Sequence, residues 1–377
     1  MFGLCLGAFG IVRISEKQNR RKSLHSLNNR LPTFVFYTTM DTNNIRLSVL
    51  DQSPVRKGVT AEQAVQETIQ LAKYTDELGY TRFWVSEHHN TGSLAGSTPE
   101  VLIAYLASQT KNIRVGSGGV MMPNHSALKV AENFRMLEAL APRRIDLGMG
   151  RAPGTDRLTA SVLNPSNQFR EDDFVEQLYD LRNYFHDTGQ PGTPQDKIRA
   201  IPQVKTVPDM WLLSSSGQSG VFAAHFGMGF SFAHFINPYG GPEAVAMYCE
   251  RFKPSDDLAN AQANVAIFVF CSEDEEKIRR HQAVMDFRFN QFEKGKGFLP
   301  FNYNDIKDVT YTADEQDRIQ YNRKRVITGT PTEMKVKLTK LAEDYKVDEI
   351  IAVTIAEDFN DRLLSYKLLA EQFIIKS

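Results

Sequence analysis

The chain has 377 residues, of which 42% are hydrophobic and 24% charged, and its formal net charge is −1. This balance, with no dense basic run in the body of the chain, argues against a nucleic-acid partner, and no stretch approaches the roughly 20 apolar residues that span a bilayer. Three widely separated cysteines, Cys5, Cys249 and Cys271, form no metal-type pair and argue against a secreted disulfide scaffold; the thiols fit a reducing cytoplasm.

Residues 1–39 hold an apolar start and then Arg13, Lys17, Arg20, Arg21, Lys22 and Arg30 against one acid, Glu16. A signal peptide carries its positive charge before its apolar core, the reverse of this order. The segment is read as a poorly structured extension without chemistry: an organelle-type presequence, or sequence upstream of a natural start at Met40. From residue 45 onward, short apolar runs alternate with helix-patterned segments. The first strand is Ile45–Leu50. Thr60 with Gln63 three residues on is a capping-box pattern, and Gly79 closes the helix it opens. The second strand runs through Arg82-Phe83-Trp84-Val85 into Ser86-Glu87-His88-His89. Pro99, flanked by Ser97 and Glu100, starts the helix at about 97–110. Strand three is Arg114–Met122, with a helix over Ala127–Leu140. Strand four is Arg144–Gly150, followed by a long polar connection and a helix over Phe174–Phe185. Met210–Leu213, Gly229–His234 and Asn264–Cys271 are strands five to seven, and Asp348–Thr354 is the eighth. Thr330 caps a helix to Tyr345, and Arg362–Phe373 closes the chain.

Eight strands, each trailed by a helix, predict one α/β domain over 40–377, a closed (β/α)8 TIM barrel, which runs from about 200 to over 400 residues. Strand one ends in Asp51-Gln52-Ser53-Pro54, with no G-x-G-x-x-G, against an open dinucleotide-binding sheet. After strand seven an insertion at about 286–325 is rich in Phe and Tyr and broken by Gly295, Gly297 and Pro300. It reads as a mobile lid or substrate wall, or as a rigid structural insertion.

Ligands of such barrels sit at the C-terminal strand ends, where four features fall. Glu87-His88-His89 puts titratable groups at a rim, the imidazoles suited to acid/base work or simply solvated in a loop. Strict alternation sends Glu87 and His89 to one side and His88 to the other, and where the strand stops decides which His faces the cavity. Gly116-Ser117-Gly118-Gly119 marks a close approach of ligand or backbone, or a barrel-corner kink. Gly150-Arg151 clears space beside a guanidinium suited to phosphate, or to a surface ion pair. Ser214-Ser215-Ser216-Gly217-Gln218-Ser219-Gly220 leads into a helix whose N-terminal hydroxyls and N–H groups suit an anion, or forms an ordinary turn.

Together Glu87-His88-His89, the Gly-Ser-Gly-Gly strand with Met121-Met122-Pro123-Asn124-His125, Gly150-Arg151-Ala152-Pro153-Gly154 and Ser215–Ser219 resemble the bacterial luciferase-like flavin monooxygenases, in order from about 45 to 373. The resemblance implies a barrel that uses reduced FMN and O2, with a peroxyflavin attacking a small organic substrate. It implies His88 as the catalytic imidazole with Glu87 and His89 beside it, and a cis peptide near Gly118-Gly119 behind the ring. Arg151, Ser216 and Ser219 would hold the phosphate, with Ser215, Gly217 and Gln218 in the same cradle. It further implies a homodimer, and a separate NAD(P)H-dependent flavin reductase as supplier of reduced FMN. Light-emitting members carry a cysteine where this chain has Gly150, against bioluminescence. Three other readings stay open: hydride transfer with the deazaflavin F420, a flavin-binding protein without turnover, and a metal-dependent barrel hydrolase. The last would need ligands on several strand ends, and Asp51 and His234 are all that strands one and six offer, so no metal is expected.

Overall fold

The computed structural model describes residues 44–166 and 170–374, so the expectations for residues 1–39 lie outside the described residues. The strands are β1 (Arg46–Asp51), β2 (Arg82–Val85), β3 (Arg114–Met121), β4 (Ile145–Gly150), β5 (Asp209–Ser214), β6 (Gly229–Ala233), β7 (Ala263–Cys271), β8 (Val326–Gly329) and β9 (Glu349–Val353). Every pairing between these strands is parallel. β1 to β7 join in sequence order, and β7–β9 and β9–β1 contacts close the ring, giving the expected eight-stranded barrel. The sequence reading missed β8. It pairs with the far half of β7, from Phe268↔Val326 to Cys271↔Gly329, beyond Ala266, the last β6 partner.

Helices α1 (Ala61–Leu78), α2 (Pro99–Gln109), α3 (Ala127–Leu140), α4 (Arg157–Leu163), α5 (Glu171–His186) and α6 (Pro194–Lys197) precede β5. After β5 come α7 (Gln218–Phe226), α8 (Gly241–Arg251), α9 (Glu275–Glu293), α10 (Tyr303–Ile306), α11 (Ala313–Arg323), α12 (Pro331–Tyr345) and α13 (Phe359–Phe373). The expected cap of α1 is present: Thr60 accepts from the Gln63 N–H at 3.3 Å, and Gly79 ends the helix at φ 88°. No described helix is long and apolar enough to cross a membrane.

Alternation along the strands divides the interior in two. Val49, Phe83, Val85, Val115, Leu147 and Leu212 face the helices in one cluster; Leu50, Trp84, Trp211, Ala266 and Ile351 fall in a second, inside the ring. Below these the barrel is closed by charge. Arg82 donates to Glu349 at 2.6 and 3.2 Å and to Asp146 at 2.8 Å, and its guanidinium lies 4.7 Å over the Trp211 ring. Ser48 donates to Glu349 at 2.6 Å, and Trp84 Nε1 to Asp146 at 2.9 Å. A buried ion cluster is tolerable only when its members are hydrogen-bonded, as these are. It seats Trp84 and Trp211 edge to face at 5.6 Å as a floor two residues up the strands.

Candidate active site

Above that floor lies a cavity of about 270 Å³ at the C-terminal ends of the strands. Leu50 and Trp84 form its base, Gly118 and Gly119 one wall, and Leu213, Ala233, Phe235, Ala266 and Ile351 contribute apolar side chains. His88, Arg151, Ser215, Ser216 and Ser219 all line this same space.

The β2 exit decides the roles of the Glu-His-His run. β2 ends at Val85, four residues short of the sequence reading, yet the alternation expected there persists through the turn. His88 faces the cavity. Its backbone N–H donates to Gly96 O at 2.8 Å, and Nδ1 lies 3.0 Å from Ser86 Oγ, which fixes the ring and leaves Nε2 for a ligand. Burial drives its pKa down to about 4, with His89 adding to the fall and the Glu87 charge opposing it, so the imidazole is neutral at pH 7.

Glu87 and His89 point away from the cavity, and neither lines it. Both lie beside His88 in sequence, and their contacts run to the loop behind it. Glu87 is wholly buried. It accepts from the Met121 N–H (2.8 Å), Asn124 Nδ2 (3.0 Å), His125 Nε2 (3.0 Å) and His89 Nε2 (2.8 Å). Burial works to raise its pKa, but these bonds, led by His125, hold it below the ordinary carboxylate value. One carboxylate thus ties the β2 exit to the end of β3 and to the 3-10 turn Met122–Asn124. Asn124 and His125 stood in the motif without an assigned role. Thr155 Oγ1, donating to His89 O at 3.2 Å, and Asn90 Nδ2, donating to Asp156 at 3.0 Å, tie the same loop to the β4–α4 connection.

The Gly118–Gly119 peptide is cis, as the resemblance implied, and β3 shifts register against β4 there. The wall admits no side chains. A Cβ on Gly118 would lie 2.8 Å from Leu50 Cδ1, and one on Gly119 2.6 Å from the Gly148 carbonyl oxygen. Bare backbone of this kind suits a flat ring.

Arg151 leaves the end of β4 and donates to Gln218 Oε1 at 2.6 Å. Gln218 thus stands as a partner of the arginine and, like Gly217, is not a lining residue. Ser214 Oγ accepts from the Ser216 N–H at 3.1 Å, and Asn237 Nδ2 holds Ser215 O at 3.0 Å. The first turn of α7 has no side-chain cap, so hydroxyls, amide N–H groups and a guanidinium meet at one rim. This donor set fits one phosphate.

The insertion stands behind the wall. Phe289 packs on Phe268 at 6.0 Å and on Phe298 at 5.8 Å, and Phe268 packs on the lining residue Phe235 at 5.2 Å. No residue of 286–325 lines the cavity; the insertion packs against the outside of its wall. His234 is engaged by Tyr345 Oη at 2.7 Å and Lys324 O at 2.9 Å, and Asp51 by the Ser53 N–H at 2.6 Å and Arg362 at 3.2 Å. Sequence reasoning missed Gln52, Trp84, Leu213, Ser231, Ala233, Phe235, Ile236, Ala266 and Ile351 as lining. Strand-end position alone could have found Gln52.

The family model described as luciferase-like monooxygenase matches residues 45–346. The uncharacterized protein YwcH of Bacillus subtilis (strain 168) is 47% identical over 87% of this chain and 99% of its own length. The N-acetyl-S-alkylcysteine monooxygenase of the same organism is 37% identical over 87% of this chain and 98% of its own. Among solved structures, apo-MsnO8 superposes with a TM-score of 0.80 at 35% identity, covering 88% of this chain and 98% of that one. This chain therefore belongs to the luciferase-like monooxygenase family.

Proposed function

We propose that this protein is a reduced-FMN-dependent monooxygenase that places one oxygen atom of O2 in a small organic substrate and releases the other as water. The observation that carries the reading is that His88, the bare backbone of Gly118–Gly119 and the Arg151/Ser216/Ser219 rim border a single cavity. The isoalloxazine would lie along the glycines, with its phosphate at Arg151, Ser216, Ser219 and the start of α7. Reduced FMN, when bound, would supply the two electrons that the reaction consumes. The chain's own contributions are position, exclusion of water and a proton carrier. His88, neutral and fixed by Ser86, accepts or delivers the proton at Nε2. FMN is favoured over F420 because Arg151 is the one guanidinium among the described residues lining the cavity, which suits one phosphate better than a longer anionic tail.

The protein would work in the cytoplasm as a homodimer fed by a separate flavin reductase. Pairing is supported by exposed apolar residues at i, i+4 spacing: Val101 with Tyr105 on α2, Met136 with Leu140 on α3, and Leu158 with Val162 on α4. The test is anaerobic titration with FMNH2, followed by isotopically labelled O2 and a panel of organic substrates. One labelled atom in product and one in water is the expected result. Failure to bind FMN or FMNH2, or product oxygen drawn from water, overturns the reading.

A further inference from the structure

We propose that the substrate is an uncharged, mostly apolar organic molecule, with Gln52 as the residue that holds its polar group. The inference rests on the flavin reading above and deepens it. Among the described residues lining the cavity, His88 and Arg151 are the only ionisable side chains. Arg151 stands at the rim beside Gln218 and Ser216, where the cofactor's phosphate belongs. His88 is kept neutral by burial. Away from that rim the lining is Leu50, Leu213, Ala233, Phe235, Ala266 and Ile351, with the Ser231 hydroxyl and the Gln52 amide as polar exceptions. Gln52 follows β1, and its side-chain amide has no hydrogen-bond partner among the described residues, so it offers a donor and an acceptor to a ligand.

A carboxylate or ammonium in that space would lose its hydration and meet no opposite charge, which strongly disfavours its entry. A carbonyl or thioether loses far less. Arg288, the buried guanidinium of the insertion, does not supply the missing charge. It lines a separate crevice of about 10 Å³ with Pro54 and Phe298, room for about one water molecule.

The chain's two tryptophans are Trp84, in the cavity base, and Trp211, packed edge to face against it, so tryptophan-selective emission reports on the floor of this space. The FMN-loaded protein is titrated at neutral pH with methyl hexyl ketone, octanoate and octylammonium, read by tryptophan emission and flavin absorbance. The ketone should bind roughly 100-fold more tightly than either ion. Gln52→Lys, which adds a cation at a partly exposed position, should narrow or reverse the preference between ketone and octanoate. Octanoate or octylammonium binding as tightly as the ketone overturns the proposal, and so does failure of a whole series of linear methyl ketones to perturb the tryptophans. Failure of FMN itself to bind overturns the flavin reading instead. In that case R151A protein without flavin, its rim cation removed, still compares ketone with octanoate through the tryptophans.

Discussion

Glu87 Oε1 and His89 Nε2 lie 2.8 Å apart, while His88 between them turns the other way into the cavity. One carboxylate therefore holds the loop from behind, while the imidazole that faces the cavity is itself held by Ser86 and Gly96. Glu87→Gln replaces two acceptor oxygens with one and sets an NH2 group among donors. The expected loss is about 1–3 kcal/mol of stability, the scale for stranding buried hydrogen-bonding groups, with kcat reduced more than FMN affinity. Urea denaturation and steady-state kinetics check both. Unchanged stability would mean that the four donors find other partners.

The Glu87–His125 contact also sets a pH dependence. Burial works to lower the His125 pKa, but the bond to Glu87 outweighs it and the net shift is upward; Glu87 is shifted downward. Stability from the depressed carboxylate is present above its unfolded value, about 4.3, and is lost as pH falls through the folded one. Stability from the raised imidazole is complete below about 6.5 and is lost as pH rises through its folded value. The pair thus contributes most between about pH 4.3 and 6.5. His125→Gln should destabilise the protein more near pH 5.5 than near pH 8.5, by thermal unfolding. An equal effect at both would show that the imidazole stays uncharged.

His88 titrates near 4 because burial opposes its charging, so the pH profile of turnover should lack an acid limb near 6.5 and fall only toward pH 4. His88→Ala should leave FMN binding close to wild type and reduce oxygenation by roughly 10²-fold or more, the scale of acid–base help. Turnover unaffected by the substitution removes His88 from the mechanism.

The order of strands and helices was legible because parallel strands buried on both faces read as apolar runs, and because Thr60, Gln63 and Gly79 mark a helix chemically. β8 was not, since Val326-Ile327-Thr328-Gly329 is too short to carry a period and forms only because β6 leaves half of β7 uncovered. The side on which His88 faces followed from alternation once the strand end was known. The carboxylate cluster of Asp146 and Glu349 was hidden, because a charge inside an apolar strand has no sequence sign of its partner 267 residues away in the Arg82–Glu349 case. Ala233, Ala266 and Ile351 look like any core residues; only closure of the ring makes them a cavity wall.

Arg151 and its neighbours test the anion site. Arg151→Ala should raise the Kd for FMN roughly 10- to 100-fold, the worth of a charge-assisted hydrogen bond, and leave riboflavin, which has no phosphate, nearly unaffected. Arg151→Lys should fall between, since an ammonium keeps the charge but not the planar fork that reaches Gln218 and an anion together. Equal losses for FMN and riboflavin would move the phosphate to another part of the rim.

The glycines of the wall are not equivalent, and the difference is measurable. At Gly119 a Cβ would meet the Gly148 carbonyl oxygen at 2.6 Å, backbone of a central strand with no freedom to retreat. Gly119→Ala should therefore cost about 1–3 kcal/mol and weaken FMN binding, because the flat surface it forms is displaced. At Gly150 the tight contact is Met121 Sδ at 2.8 Å, the far end of a flexible side chain, with the next atoms at 3.6 and 3.9 Å. Methionine repacks readily, so Gly150→Ala should cost under about 1 kcal/mol, and Gly150→Cys should also fold. Urea denaturation and FMN titration of the three variants decide the matter. If Gly150→Ala is as damaging as Gly119→Ala, Met121 is as fixed as the strand beneath it, and its sulfur belongs to the rigid wall of the cavity.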